Sequence, residues 1–265
     1  MNDGPQRVAI VTGAARGIGA ATVLALAAQG WSVLAVDLAK DDPVLPYAMG
    51  TADELADVVG RGGRQVVGHH ADVRDQDALA AAVAEAEDRW GGGLDAAIAA
   101  AGVIAGGVPL WELPVEQEQA VLDVDLGGVI KLARAAIPAL LRRPEPRSGR
   151  FLAVASAAAT SGMPTIAAYC AAKAGVAGLI RALGAELGGT GVTANAVSPG
   201  STDTAMLAES ARLYGLADPS SFAAQQPLGR LLDPAEIASV LAFLAGPGSS
   251  AMTGAVVPVD GGLAL

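Results

Sequence analysis

The chain has 265 residues, long enough for one large α/β domain with a substantial core, and 52% of them are hydrophobic, with 34 glycines that suit tight helix–sheet packing. A net charge of −10 argues against nucleic acid or an anionic membrane as partner. A single cysteine, Cys170, excludes an internal disulfide framework and fits a reducing compartment. Residues 1–7 show no charged-then-apolar leader pattern. The longest apolar run, residues 94–111, carries Asp95, several glycines and Pro109, and reads as strand and loop rather than a membrane span. The expectation is a soluble, cytoplasmic, globular protein.

Residues 7–12 form a short apolar run, followed at once by Gly13-Ala-Ala-Arg16-Gly17-Ile18-Gly19 and a helical pattern over 18–29. Strand, glycine-rich turn and helix is the context that a phosphate-binding loop needs. Gly13 permits the turn, Gly17 admits a pyrophosphate to the backbone, and Gly19 lets the helix pack closely, its N-terminus offering free N–H groups to an anion. The spacing G-x3-G-x-G differs from the commonest dinucleotide fingerprint. The next strand, residues 31–37, ends in Asp37, 18 positions beyond Gly19. A carboxylate there accepts both hydroxyls of an adenosine ribose and repels a 2′-phosphate, so Asp37 favours NAD over NADP. Arg16 pulls the other way, as a cation able to meet that phosphate.

Residues 40–51, rich in Asp, Pro and Gly, predict a long loop near the adenosine end, of a length that is often functional. A helix is predicted near 52–59, a strand at 64–69, then Asp72, placed to bond an adenine amino group, with Val73 packing on the ring. His69 and His70 show no Cys or acidic partner at metal spacing and read as strand-end packing, with no metal site. After an Ala-rich helix at 77–90, a fourth strand, 94–102, closes on Ala99, Ala100 and Ala101, small enough for a ribose or nicotinamide to lie against the backbone. One long helix is expected over 115–141. Asp125 falls four residues from both Val121 and Val129, partly buried and in need of a partner.

The chemistry is concentrated in the next segments. Ser156 ends the apolar strand 151–156, and Tyr169 and Lys173 lie four apart on one face of a helix expected over 165–187. The ammonium should favour the phenolate and lower the Tyr169 pKa from about 10, fitting it to exchange a proton with an alcohol or carbonyl. A sixth strand at 191–198 leads to Pro199, Gly200, Thr202 and Thr204, whose hydroxyls suit a carboxamide or phosphate. Residues 201–226 read as a mobile lid over the substrate. A helix at 234–245 and a strand at 255–260 complete the pattern. Strand and helix alternate without a linker, giving one doubly wound, Rossmann-like domain over 1–265 with a seven-stranded parallel sheet as the family below implies.

Taken together, Thr12-Gly-Ala-Ala-Arg-Gly-Ile-Gly19, Ser156, Tyr169-x-x-x-Lys173, Pro199-Gly200 and Val259-Asp-Gly-Gly262 resemble the short-chain dehydrogenases/reductases nearly end to end. The resemblance implies NAD(P)-dependent alcohol/carbonyl redox chemistry, usually in a homotetramer. By position, Tyr169 is the general acid/base, Ser156 orients the substrate oxygen, and Lys173 lowers the Tyr pKa and holds the nicotinamide ribose. Two positions depart from the family pattern. Ala99-Ala-Ala-Gly102 replaces the frequent Asn-Asn-Ala-Gly, so side-chain bonds that stabilise that turn are expected to be absent. Asp125 replaces the Asn of the catalytic set, whose backbone carbonyl supports a proton-relay water. The segment after Asp37 and Gly102-Val-Ile-Ala-Gly-Gly107 resemble a subgroup associated with mycofactocin, a peptide-derived redox cofactor. That resemblance implies firmly held NAD, re-oxidised by an external carrier. Three readings follow: an NAD-dependent dehydrogenase of a small, hydrophobic alcohol or ketone, an NADP-dependent 3-oxoacyl thioester (acyl-carrier-protein) reductase, and a non-catalytic NAD-binding sensor.

Overall fold

Seven parallel strands form one sheet in the order β3-β2-β1-β4-β5-β6-β7. They are β1 (Val8–Thr12), β2 (Ser32–Asp37), β3 (Val66–His70), β4 (Ala96–Ala99), β5 (Arg150–Val154), β6 (Thr193–Pro199) and β7 (Val256–Val259). The computed structural model describes residues 6–265, so most of the amino-terminal stretch read above for a leader lies outside the described residues. β1, β2 and β4 are buried along almost their whole length rather than at alternate residues, because helices cover both faces of the sheet. On one face, α1 (Gly17–Ala28), α2 (Ala52–Gly62) and α8 (Pro234–Ala245) bury Val23, Leu26, Leu55 and Leu241. On the other, α3 (Gln76–Trp90), α4 (Val115–Leu122), α5 (Gly128–Arg142) and α6 (Ala167–Glu186) bury Leu79, Val121, Leu132 and Val176. No helix among the described residues is long and apolar enough to cross a membrane.

Local chemistry explains where the helices begin. Thr51 and Glu54 form a capping box on α2, Asp75 accepts from Asp77 and Ala78 at the head of α3, and Asp233 and Glu236 form a second box on α8. The α1 helix is different. Its N-cap, Arg16, makes no side-chain cap, which leaves the first-turn N–H groups facing the C-terminal edge of the sheet.

Several boundaries differ from the sequence expectation by one to three residues, where helix ends fray and strand ends lose their partners. The larger difference lies in the helix expected over 115–141. It is interrupted by a π-helical turn, Asp123–Gly127, between α4 and α5. The extra residue in that turn aims Asp125 into the protein, and Gly128 follows with its Cα face against Val73, where a Cβ would sit 2.7 Å from Cγ2. Apolar periodicity continues through such a turn, so the pattern did not reveal it.

In the sheet, β1 lies between β2 and β4, with Thr12 level with both Val36 and Ala99. The chain order reverses here, and a crevice opens beyond the strand ends, as open α/β sheets use to bind ligands.

Candidate active site

That crevice is a cleft with a cavity volume of about 280 Å³. It brings together Gly13, Arg16, Gly17, Ile18 and Gly19 from the glycine-rich turn, Asp37 from β2, and Asp72 and Val73 after β3. It is also lined by Ala100 and Ala101 after β4, Ser156 after β5, Tyr169 and Lys173 on α6, and Pro199, Gly200, Thr202 and Thr204 after β6. Two of the expected residues do not line it. Ala99 is the last residue of β4 and is packed inside the sheet, while Asp125 lies wholly buried behind the wall.

The glycine-rich turn fits a dinucleotide phosphate. Gly13 has φ of +67°, and a Cβ on it would stand 2.6 Å from Ala101 Cα, so the turn and the β4 loop touch backbone to backbone. The uncapped start of α1 lies beside it. Asp37 caps the outer side, with Oδ2 accepting from Ala15 N at 2.9 Å and Oδ1 accepting from Ala39 N at 2.9 Å. A carboxylate has about four acceptor positions, so these bonds orient it and leave capacity for two hydroxyls.

Several of the expected residues at this end also have partners within the chain. Arg16 donates from Nη2 to Ala48 O at 2.8 Å, so its guanidinium is tied to the loop after β2. Asp72 binds Arg74 in a fork, Nη2 to Oδ2 at 2.7 Å and Nε to Oδ1 at 2.9 Å, and also accepts from Arg74 N, so its acceptors are largely spent before any adenine arrives. The turn after β4 does not lack side-chain support. Thr12 Oγ1 accepts from Ala100 N at 3.2 Å and Ala101 N at 3.3 Å. Thr202 and Thr204, expected to face a ligand, also bond locally: Thr202 Oγ1 donates to Gly200 O, and Thr204 caps α7 (Ala205–Leu213) through Leu207 N.

Residues 38–51 contain no regular element and lie along the cleft as a strap. Leu45 is buried in the core beside Val73 and Ile104. The Tyr47 hydroxyl accepts from Ile104 N at 2.9 Å, and burial raises its pKa. Asp42 is ion-paired with Arg74 at 2.8 Å, which makes Arg74 a clamp between the strap and the β3 turn. None of these four anchors was singled out from sequence as a site residue. Asp42, Leu45 and Tyr47 were signalled only as part of the long loop and its subgroup resemblance, and Arg74, after β3, by nothing.

At the other end, Tyr169 and Lys173 are 9% and 3% exposed, and Lys173 Nζ lies 5.5 Å from the Tyr169 ring centroid. Lys173 donates to Val154 O at 3.1 Å and stands 3.1 Å from Asp125 Oδ2. Asp125 Oδ1 accepts from Val103 N at 2.7 Å. The expected lowering of the Tyr169 pKa is reversed in the chain alone. Burial pushes the phenol up, the Lys173 ammonium opposes this, the Asp125 charge adds to the rise, and Ser156 lowers it slightly. The net direction is upward. Burial likewise disfavours the Lys173 ammonium, but Asp125 outweighs it and holds the pKa above the ordinary lysine value.

Beyond Tyr169 the cleft wall is apolar, with Met163, Ile166, Met206, Leu207, Tyr214 and Phe222. Much of it comes from residues 201–226, which hold α7 and a 3-10 segment, Pro219–Gln225. Gln226, buried and not anticipated, pins the base of this segment by accepting from Ser201 N at 2.8 Å and donating to Arg230 O at 2.6 Å. His69, read as strand-end packing, has its Nδ1 2.7 Å from Glu85 of α3, a single contact between segments. No group of three or more His, Cys, Asp or Glu side chains converges at a metal-binding distance among the described residues.

A parallel sheet with a phosphate-ready turn at its crossover, joined to buried Tyr169 and Lys173 with Ser156 beside them, defines a dinucleotide-dependent oxidoreductase. A family model described as enoyl-(acyl carrier protein) reductase matches residues 13–264. Cis-4-hydroxycyclohexanecarboxylate dehydrogenase of Sinomonas cyclohexanicum is 38% identical over 259 residues, covering 97% of this chain and 96% of that protein. (−)-trans-Carveol dehydrogenase of Rhodococcus erythropolis is 34% identical over 273 residues, covering 98% of each. The crystal structure of carveol dehydrogenase from Mycobacterium avium in complex with NAD superimposes with a TM-score of 0.90, at 31% identity and 97% coverage of both chains. The chain belongs to the short-chain dehydrogenase/reductase family and is an oxidoreductase.

Proposed function

We propose that this enzyme interconverts small, uncharged alcohols and ketones with NAD, using Tyr169 as general acid/base. The observation that carries the proposal is the placement of Tyr169, Lys173 and Ser156 where the polar floor of the cleft meets its apolar wall. Bound nicotinamide would accept a hydride from the alcohol carbon, or return one to a carbonyl. The chain's own part is to move the hydroxyl proton. In oxidation the Tyr169 phenolate takes it; in reduction the phenol donates it. Ser156 donates to or accepts from the same oxygen and fixes its orientation, while Lys173 stabilises the phenolate and presents its ammonium to the ribose.

Asp37 supports NAD over NADP, because its carboxylate is held by two backbone N–H groups in the position that a 2′-phosphate would need, and Arg16 is bonded elsewhere. The same arrangement disfavours the acyl-thioester reductase with NADP, and the intact catalytic cluster disfavours a non-catalytic sensor. For the substrate, the charged residues lining the cleft are Arg16, Asp37, Asp42, Asp72 and Arg74, on the glycine turn, the strap and the β3 turn, plus Lys173 itself. The wall beyond Tyr169 offers only Ser210 and Gln225 as uncharged polar groups besides Tyr214. An uncharged, apolar ring or chain fits it better than a carboxylate.

The proposal extends to the strap. Its anchoring by Leu45, Tyr47 and Asp42 supports firm retention of NAD, as the mycofactocin-associated subgroup implies, with an external carrier re-oxidising it. Residues 201–226 act as the substrate lid, and the apolar Leu110, Trp111 (84% exposed) and Val115 mark a face for a homotetramer in the cytoplasm.

Tyr169→Phe tests the chemistry. Turnover should fall at least about a thousandfold while NAD binding stays within about threefold; undiminished turnover would remove the assignment. Retention is tested by the absorbance and mass of the protein after exhaustive dialysis. Loss of the dinucleotide together with steady turnover on added NAD alone would exclude the carrier-coupled reading.

A further inference from the structure

The position that the family usually fills with a neutral asparagine carries a carboxylate here, and that carboxylate is fully buried at 0% exposure. Its two oxygens do different work. Oδ1 accepts from Val103 N, anchoring the loop after β4, whereas Oδ2 has no aligned hydrogen bond and faces only the Lys173 ammonium at 3.1 Å. Gly102 closes over this pair, since a Cβ there would stand 3.3 Å from Asp125 Oδ2 and 3.5 Å from Lys173 Nζ. The π-helical turn is what delivers the side chain to this point.

We propose that Asp125 is a positioning residue whose ion pair with Lys173 weakens the ammonium's pull on Tyr169, so that alcohol oxidation requires more alkaline solution than it would with asparagine at 125. The inference rests on the acid/base role of Tyr169 proposed above. A lone ammonium beside a phenol favours the phenolate, but an ammonium with a carboxylate 3.1 Å away presents a dipole whose field falls off much faster. With burial acting in the same direction, the phenol stays protonated through neutral pH, the form that donates to a carbonyl. The phenolate that oxidation needs becomes scarcer by about tenfold for each pH unit below its pKa.

The other groups nearby do not undo this. Ser156 lowers the phenol's pKa by less than Asp125 raises it, and Cys170, the neighbour of Tyr169 on α6, acts in the same upward direction as Asp125. Tyr47 of the strap lies within reach of Asp125 and is itself held neutral by burial. Arg16 and Glu209 of α7 act on Tyr47, and Glu209 is paired with Arg212 at 2.6 Å.

Asp125→Asn keeps an oxygen for Val103 N and removes the charge. In kcat/KM for alcohol oxidation against pH, the acidic limb should move about one unit toward acid, making the variant about tenfold faster at a pH below both limbs. A limb that stays in place, or moves toward alkali, overturns the proposal. Tyr169→Phe separates the two levels. If it is inactive while the Asp125→Asn limb is unmoved, the acid/base role stands and this inference alone fails; if it is fully active, the role itself fails. Should Asp125→Asn not fold, carbon NMR of ring-labelled tyrosine in Asp125→Ser decides. Of the 3 tyrosines, Tyr169 should ionise at lower pH than in the unsubstituted enzyme, and an unmoved or raised transition overturns the proposal.

Discussion

Arg74 joins the strap to the body of the enzyme, so Arg74→Gln should release NAD faster without harming the chemistry. The guanidinium reaches Asp42 at 2.8 Å and Asp72 at 2.7 Å, and the Asp42 side chain is only 4% exposed. At an effective dielectric of about 20, a pair at that separation attracts by roughly 6 kcal/mol before desolvation. Arg74 is 30% exposed, so solvent screening and the cost of desolvating Asp42 reduce the net coupling to roughly 1–2 kcal/mol. If the strap must lift for NAD to leave, that corresponds to about a tenfold higher dissociation rate. The rate is measured by displacing NADH and following its fluorescence, with kcat under saturating substrate as the control. The Asp72–Arg74 pair, which holds the guanidinium in place for Asp42, is itself sensitive to acid in the unsubstituted enzyme. Burial opposes ionisation of Asp72, but the Arg74 hydrogen bonds outweigh it and hold its carboxyl below the usual range. The contact's contribution is therefore present above the unfolded carboxylate pKa of about 3.9 and is lost as pH falls through the folded value. A dissociation rate unchanged by Arg74→Gln would show that the strap is not what retains the dinucleotide.

Two further substitutions probe the cofactor end. Asp37→Ser removes the carboxylate proposed to meet the ribose, and the ratio of kcat/KM with NAD to that with NADP should fall at least about tenfold; an unchanged ratio counts against Asp37 as the discriminating residue. Gly13→Ala places a methyl 2.6 Å from Ala101 Cα at a φ of +67°. Left-handed strain of about 1–2 kcal/mol and overpacking of about 1–3 kcal/mol add to roughly 2–5 kcal/mol, or a Tm lower by about 5–15 °C in calorimetry. A melting point within about 2 °C of the unsubstituted enzyme would mean that the turn and the β4 loop are not as tightly apposed as the structure has them.

The strand–turn–helix at residues 8–28 was legible because each part is local: an apolar run, glycines at fixed offsets, a helical pattern. Tyr169 and Lys173 were legible for the same reason, since four residues is one turn of helix. Asp37 was readable by its distance from Gly19. The residues that were missed act across the chain. Thr12 supports a turn 88 residues later, Tyr47 meets Ile104 57 residues away, and Gln226 reaches back 25 residues to Ser201. Such contacts leave no period and no spacing in one sequence.

The Tyr169 environment shows the division most sharply. Local order in the chain was sufficient to pair a phenol with an ammonium on one helical face, and thereby to indicate proton transfer. It was not sufficient to settle the direction in which the phenol's pKa moves. Helical spacing encodes which side chains share a face, whereas electrostatics depends on every charge within a few ångströms and on how much water remains. Folding buries Tyr169 and Lys173, and the π-helical turn brings Asp125, 48 positions before Lys173 in the chain, to 3.1 Å from its ammonium. Burial and that third charge reverse the sign that the pair alone would have had.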